Sequence, residues 1–323
     1  MTSPHPTWNP DPEEQARHHK RLRGRRRKLL GTLKKGGGLH DYLRNSMFVG
    51  YLRLASRLPT APFRALPDFL IIGAAKSATT TLYAYLEQSP HVAWSLRKEA
   101  FYFNQTFHWG LNWYRAFFPL KSAIARQARK AGGTVGTGEG SPDYLFHPHA
   151  ARRVRETLPN TKLVAILRNP VDRAYSFYKH QIMRTNEPLS FEEAVNAEEG
   201  RLQGEFERME RDERYASFNR QHYSYKARGC YMDQLDRWLE YFPREQLLVQ
   251  ITDDLHRDPQ RVVSELTDFL NLPPIEVQVP KRTHVGVRLD PMEAKVRSSL
   301  VQYFKPHNER LEAFLGRDLN WDR

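Results

Sequence analysis

The sequence contains one cysteine, Cys230, among its 323 residues, so it cannot form an intrachain disulfide. This excludes a disulfide-stapled secreted domain and predicts a reducing, cytoplasmic setting. No run of about 18 apolar residues occurs, and residues 1–30 have no apolar signal-peptide core, so we expect neither a transmembrane span nor a cleaved leader. Cysteine and histidine spacings typical of zinc sites are also missing from the sequence.

Acidic residues are missing where basic residues are densest. Ten Lys and Arg lie between Arg17 and Lys35 without an Asp or Glu, and they supply most of the formal net charge of +13. The sequence therefore predicts a basic, disordered arm over 1–38, an amphipathic helix and linker over 39–65, and one domain over 66–323. Residues 17–58 could contact an anionic membrane surface. A solubilising tail and a nucleic-acid-binding arm are the alternatives, although no specific nucleic acid is expected.

Residues 69–86, FLIIGAAKSATTTLYAYL, have the strongest functional pattern in the chain. The apolar run 69–72 is typical of a buried strand, and Gly73 begins a turn of small residues. Lys76 and a group of hydroxyl side chains follow at the start of a predicted helix. The unpaired N–H groups and positive dipole of a helix N-terminus favour an anion there. The segment predicts a phosphate or sulfate site.

The pattern departs from the nucleotide triphosphatase motif G-x-x-x-x-G-K-[ST]. Lys76 follows Gly73 by three residues, and Ala78 stands where a second glycine is sought. The next buried strand, 163–167, ends in Arg168 where a metal-binding aspartate would be needed. A Mg²⁺-dependent kinase-like enzyme therefore stays an alternative, although the aspartate that would bind its metal is not found. A basic nucleic-acid-binding protein built on the arm is the alternative from a different class.

A second strand, turn and helix follow in residues 163–178, LVAILRNPVDRAYSFY. Arg168 lies at the end of the strand, and Pro170 favours a helix start. Ser176, about two helical turns later, could reach the same anion as Arg168. Two such sites suit a ligand with two separated anionic ends and no metal, which describes 3′-phosphoadenosine 5′-phosphosulfate (PAPS).

Over residues 66–323 the chain resembles the PAPS-dependent sulfotransferases, with the heparan sulfate N- and 3-O-sulfotransferases as the most similar type. The stretches GAAKSATT and LRNPVDRAYSFY resemble the family's 5′-phosphosulfate loop and 3′-phosphate motif. The resemblance implies an α/β fold with a P-loop-like central parallel sheet and helices on both faces. It also implies transfer of a sulfuryl group, by in-line displacement, to a hydroxyl or amine. The acceptor would be a carbohydrate, a glycolipid or another small metabolite.

The resemblance also implies roles for individual residues. Lys76 would contact the bridging and sulfuryl oxygens, and Arg168 and Ser176 would bind the 3′-phosphate. The 5′ group would contact the loop residues Ser77, Ala78, Thr79 and Thr80, and a late basic loop would close over the donor with Lys281, Arg282 and Thr283.

Two residues are candidates for the catalytic base. Glu99 matches the glutamate that the heparan sulfate enzymes use, and His180 matches a histidine of the N-sulfotransferase branch. Alternatively, Glu99 forms a surface ion pair with Lys98. His180 could likewise be an ordinary helix histidine without a catalytic role. Phe101 and Gly140 depart from the histidine and lysine of the 3-O-sulfotransferases, so we expect an acceptor other than heparan sulfate.

The apolar pattern predicts alternating strands and helices, which is typical of a parallel sheet. Strands are predicted at 69–73, 91–94, 163–167 and 247–251. Helices are predicted at 39–58, 78–88, 110–118, 148–157, 170–184, within 190–216, and at 229–241, 258–270 and 291–315.

Overall fold

The computed structural model describes residues 47–278 and 291–322. Its centre is one five-stranded sheet in which every neighbouring pair of strands is parallel. The spatial order is β2-β3-β1-β4-β5, with β1 (Phe69–Gly73), β2 (Val92–Trp94), β3 (Gly136–Gly140), β4 (Lys162–Leu167) and β5 (Leu247–Ile251). The predicted fold class is confirmed.

Thirteen α-helices lie in the described part of the chain, together with a π-helical turn at Tyr102–Thr106. They are α1 (Met47–Arg57), α2 (Thr79–Leu86), α3 (Leu111–Arg115), α4 (Lys121–Ala131), α5 (Ala150–Thr157), α6 (Pro170–Met183), α7 (Phe191–Leu202), α8 (Glu205–Arg211), α9 (Phe218–Tyr223), α10 (Tyr231–Leu239), α11 (Thr252–Arg257), α12 (Pro259–Leu270) and α13 (Ala294–Leu315). None of the described helices is long and apolar enough to cross a bilayer.

Alternation along the central strands divides the core between the two faces of the sheet. Leu70 and Ile72 of β1 lie in one buried cluster, which also contains residues of α5 and α10. Phe69 and Ile71 lie in a second cluster with residues of α2 and α12. Both faces are therefore covered by helices, as expected for a parallel sheet whose strands are nearly continuous apolar runs.

The four predicted strands are confirmed within a residue, and the predicted helices are confirmed with shorter ends. Of the predicted helix 39–58, residues 39–46 lie outside the described part of the chain. Strand β3 was missed because its sequence, GTGEG, has no apolar pattern. The structure explains the glycine at its centre. A Cβ on Gly138 would collide with the ring of Phe69 on the neighbouring strand, so only glycine allows this close approach. Helix α4 was also missed, since its eleven residues include none that is buried.

Candidate active site

The first component of the site is the turn between β1 and α2. Lys76 and Ala78 both have left-handed backbone conformations, with φ of 71° and 64°. Such alternating conformations turn successive N–H groups to one side of the chain. Within the described structure, the N–H groups of Ala78, Thr79 and Thr80 have no recorded hydrogen bond, as expected at a helix start. The turn therefore offers free donors and one lysine.

The end of β4 lies beside this turn because β1 and β4 are neighbours in the sheet. The Ala74 N–H donates to the Ile166 carbonyl at 2.8 Å, which joins the turn to the end of β4. Arg168 comes next and is half-buried, and the Tyr231 hydroxyl donates to its carbonyl at 2.7 Å. Burial and the charge of Arg168 lower the pKa of Lys76. Lys76 and Arg168 therefore lie close enough for their charges to interact, while the nearby Glu99 opposes the shift.

A cleft of about 510 Å³ opens at these strand ends. It brings together most of the residues predicted from the sequence. Its walls include Lys76, Ala78, Thr79, Thr80, Glu99, Ser176 and His180. Ligands of parallel α/β proteins bind at this edge of the sheet. The cleft is therefore the candidate active site.

Glu99 lies on the loop after β2 and faces this cleft. Its φ of 65° is unusual for a non-glycine residue, and its N–H donates to the Gly140 carbonyl at 3.1 Å. The Lys98 ammonium lies 3.8 Å from the Glu99 carboxylate and also donates to the Thr80 hydroxyl at 2.5 Å. Burial raises the pKa of Glu99, and the Lys98 charge opposes that shift. A carboxylate with a raised pKa at a cleft suits a general base.

The backbone after Glu99 is held by side chains from the end of β3. The Ala100 N–H donates to the Glu139 carboxylate at 3.2 Å, and the Phe101 N–H donates to the Ser141 hydroxyl at 3.2 Å. The Tyr102 N–H donates to the Tyr144 hydroxyl at 2.9 Å. Ser141 donates to Glu139 as well. The position of Glu99 therefore depends on a buried network that begins at Glu139.

Glu139 itself is completely buried. Burial raises its pKa to about 7, while hydrogen bonds from Ser141, Ala100, Tyr144 and Tyr114 oppose the shift. Sequence reasoning missed this residue because the strand carrying it was not recognised. The available signal was a glutamate among small residues, followed by Ser141 and Tyr144.

His180 lies on α6 and lines the same cleft. Burial and the charges of Lys76 and Arg184 lower its pKa to about 4, so the imidazole is neutral at pH 7. Near it, the Gln181 amide oxygen lies 3.0 Å from His222 Nδ1, and the Asn186 amide donates to Gln181 at 2.9 Å. This polar wall includes Gln181, Arg184, Gln221 and His222. The sequence predicts that the stretch 184–228 lines the acceptor cleft, and three of these residues lie in it, although none was named individually.

Two of the predicted site residues that the structure describes, Ser77 and Arg168, do not line the cleft. Ser77 is fully buried beneath the turn, and its carbonyl accepts from the Thr252 hydroxyl at 3.0 Å. Arg168 lies at the neighbouring strand end, beside the cleft lining. Lys281, Arg282 and Thr283 lie outside the described residues, as does the predicted arm over 1–38.

Comparison with known proteins agrees with this geometry. Residues 66–299 match the family described as the sulfotransferase domain. A crystal structure of a sulfotransferase from Alicyclobacillus acidocaldarius is 34% identical, with a TM-score of 0.58, covering 80% of this chain and all of that one.

Two curated relatives are longer proteins. A Dictyostelium discoideum protein named membrane-associated sulfotransferase kil1 is 30% identical over 79% of this chain and 66% of its own length. The human bifunctional heparan sulfate N-deacetylase/N-sulfotransferase 3 is 29% identical over 78% of this chain and 30% of its own length. The chain thus spans from under a third to about two thirds of these relatives. With the family match over most of its length, the chain belongs to the sulfotransferase family.

Proposed function

We propose that the cleft transfers a sulfuryl group from PAPS to a hydroxyl or amine of a carbohydrate or other small acceptor. The observation that carries the proposal is the meeting of three groups at one cleft. Lys76 and the start of α2 provide positive charge, and Glu99 provides a base on the facing loop. The family membership supports the reaction class, and PAPS is the donor that its sulfotransferases use.

The residues present fit the donor. When bound, PAPS supplies the sulfuryl group and leaves as adenosine 3′,5′-bisphosphate. Its 5′ end suits the free N–H groups of α2 and the Lys76 ammonium, because negative charge grows there as the sulfuryl group leaves. Its 3′-phosphate suits Arg168 with the Ser176 hydroxyl. Ser77, Lys281, Arg282 and Thr283 are part of the proposed donor site by resemblance alone.

We assign Glu99 as the main base and His180 as the second candidate. Both face the cleft, and the lowered pKa of His180, about 4, leaves its imidazole able to accept a proton at neutral pH. Glu99 is favoured because its loop is fixed from β3 in an uncommon backbone conformation, which is typical of residues placed for function. His180 would then orient the acceptor.

The donor assignment is tested by thermal shift without Mg²⁺ and with EDTA. Adenosine 3′,5′-bisphosphate should raise the melting temperature, because a ligand that binds only the native state stabilises it. Adenosine 5′-phosphate should raise it much less, since it lacks the group for Arg168 and Ser176. Equal shifts by both nucleotides, or a requirement for Mg²⁺, would contradict a metal-free PAPS site and favour a kinase-like protein.

The role of Glu139 is tested by two substitutions at one position. Glu139→Ala removes the acceptor for the Ala100 N–H and should lower turnover about 10²-fold, the usual scale when a reacting group is displaced. Glu139→Gln keeps an oxygen for that N–H and should retain most of the activity. Equal losses in both variants would show that the charge matters and the positioning does not.

The pH dependence of stability separates these variants further. Burial raises the pKa of Glu139 to about 7, so its contribution to stability is complete below its unfolded pKa and is lost as the pH rises through about 7. Glu139→Gln has no such titration. As the pH rises from 5 to 8, the free energy of unfolding of this variant, measured in urea, should therefore increase relative to that of the unsubstituted protein.

We also propose that residues 17–58 bind an anionic membrane surface peripherally, with the reaction taking place on its cytoplasmic side. The basic run between Arg17 and Lys35 supports this, because clustered Lys and Arg are attracted to acidic lipids. The protein should sediment with vesicles containing phosphatidylserine and remain free with phosphatidylcholine alone. Binding should fall with salt and in the triple variant Arg25→Ala, Arg26→Ala, Arg27→Ala; binding unaffected by either change would refute the proposal.

A further inference from the structure

A second, smaller cavity of about 60 Å³ adjoins the cleft, and Asp143 and Gln221 line both. Other walls of this side pocket are formed by Phe146, His147 and Arg220. The volume holds a few water molecules or one small polar group, and is too small for a sugar ring. A ligand in the cleft could therefore extend a single substituent into it.

Arg220 is the distinctive side chain of the side pocket. Its guanidinium lies over the rings of Phe146 and Phe206, at 4.3 and 4.9 Å from their centres. Within the described chain its side chain makes one recorded hydrogen bond, from Nη2 to the Phe146 carbonyl at 3.4 Å, and no recorded ion pair. Aromatic stacking fixes the plane of the guanidinium and leaves its edge to bind a planar or tetrahedral oxyanion.

The neighbouring charges leave the side pocket positive. Arg228 forms an ion pair with the Asp143 carboxylate at 2.6 Å, and its Nη2 donates to the carbonyls of Arg220 and Gln221. The one acid in the pocket wall is therefore already paired. Burial and the charges of Arg228 and Arg237 lower the pKa of Arg220 to about 10, which leaves it protonated at neutral pH. Glu207 and Glu205 offset part of this positive charge, but neither forms a recorded ion pair with Arg220 in the described chain. A largely buried cation with incomplete charge compensation is costly, so an anion there would be favoured.

We propose that Arg220 binds an acidic group of the acceptor, a carboxylate or a sulfate, while the reacting hydroxyl or amine lies in the cleft. This rests on the proposed sulfuryl transfer and narrows its acceptor to an acidic carbohydrate. Gln181, Gln221 and His222 provide the polar wall along which its neutral hydroxyls would bind. Arg220 then selects the acceptor and takes no part in the chemistry.

The test uses the full chain saturated with adenosine 3′,5′-bisphosphate, so that the donor site is filled. D-glucuronate, D-glucose 6-sulfate and D-glucose are titrated as probes by calorimetry or by ligand-observed NMR. Both acids should bind about tenfold or more tightly than glucose, the scale of one charge-assisted hydrogen-bonded pair. Arg220→Gln should remove this preference, and Arg220→Lys should keep only part of it.

Arg208→Gln is the matched control. Arg208 is an exposed arginine that also lies over an aromatic ring, at 3.8 Å from Tyr215, and it does not line the side pocket. Its substitution makes the same change in net charge and should leave the preference intact. The proposal is overturned if the unsubstituted protein shows no preference for acids, or if Arg220→Gln retains it.

The nucleotide titration keeps this result separate from the donor assignment. Normal binding of adenosine 3′,5′-bisphosphate by Arg220→Gln and Arg220→Lys shows that both variants are folded. If the nucleotide fails to bind the unsubstituted protein, the proposed function fails. The preference for acids in the absence of nucleotide would still decide whether Arg220 forms an anion site.

Discussion

Glu99→Gln should lower the turnover number about 10²-fold or more, which is the usual cost of losing a general base. The amide keeps the size of the side chain and loses the lone pair that takes the acceptor's proton. Binding of adenosine 3′,5′-bisphosphate should stay near normal, because the proposed nucleotide site is the turn after β1. Turnover measured with saturating PAPS, beside a nucleotide titration, gives both quantities.

His180→Ala is the control for this prediction. His180 shares the cleft with Glu99, but its substitution should lower turnover less. Gln181 and His222 would still orient the acceptor in part. If Glu99→Gln is fully active while His180→Ala is inactive, the two roles are exchanged. The pH profile adds a second readout. Since burial raises the pKa of Glu99, kcat/KM should fall as the pH drops through that raised value, and this limb should be lost in Glu99→Gln.

Lys76→Ala should reduce the rate far more than it weakens nucleotide binding. The Lys76 ammonium faces the cleft before α2. In the proposed reaction, negative charge develops there on the leaving 5′ group only in the transition state. An interaction that strengthens in the transition state appears mainly in kcat. Single-turnover rates and equilibrium binding of adenosine 3′,5′-bisphosphate separate the two effects.

Arg168→Ala is the matched comparison, since it removes a cation from the neighbouring strand end. The 3′-phosphate carries the same charge throughout the reaction, so this loss should appear mainly as weaker binding. Removing a charge-assisted contact should cost roughly 2–3 kcal/mol, or about 30- to 150-fold in Kd. The opposite pattern, with Lys76→Ala affecting only affinity and Arg168→Ala only turnover, would mean that the donor lies the other way round between β1 and β4.

The sequence was sufficient to predict those parts of the fold and the candidate site that depend on local sequence pattern. The apolar strands β1 and β4, and the turn after each, follow from strand length, small residues and helix starts. Parallel strands align their carboxyl ends, so the proximity of Lys76 and Arg168 could be anticipated. Ser176 then followed from its place in the helix that starts at Pro170, whereas His180 was named from the family resemblance alone.

The rest depended on contacts between distant residues. Strand β3 is recognisable only once Phe69 is seen to occupy the space above Gly138. Without that strand, Glu139 has no predicted place beside Ala100, 39 residues away in the chain. The position of Arg220 likewise depends on two phenylalanines from different parts of the sequence. Such packing has no local pattern, so it could not be predicted.

The most direct measurement is transfer of labelled sulfate from PAPS to acceptors in a fractionated cell extract. The protein should produce a labelled product and adenosine 3′,5′-bisphosphate in equal amounts, with EDTA present, and Lys76→Ala should produce almost none. Equal labelling by the protein and by Lys76→Ala, or release of the nucleotide without a labelled product in any fraction, would contradict sulfuryl transfer at this cleft.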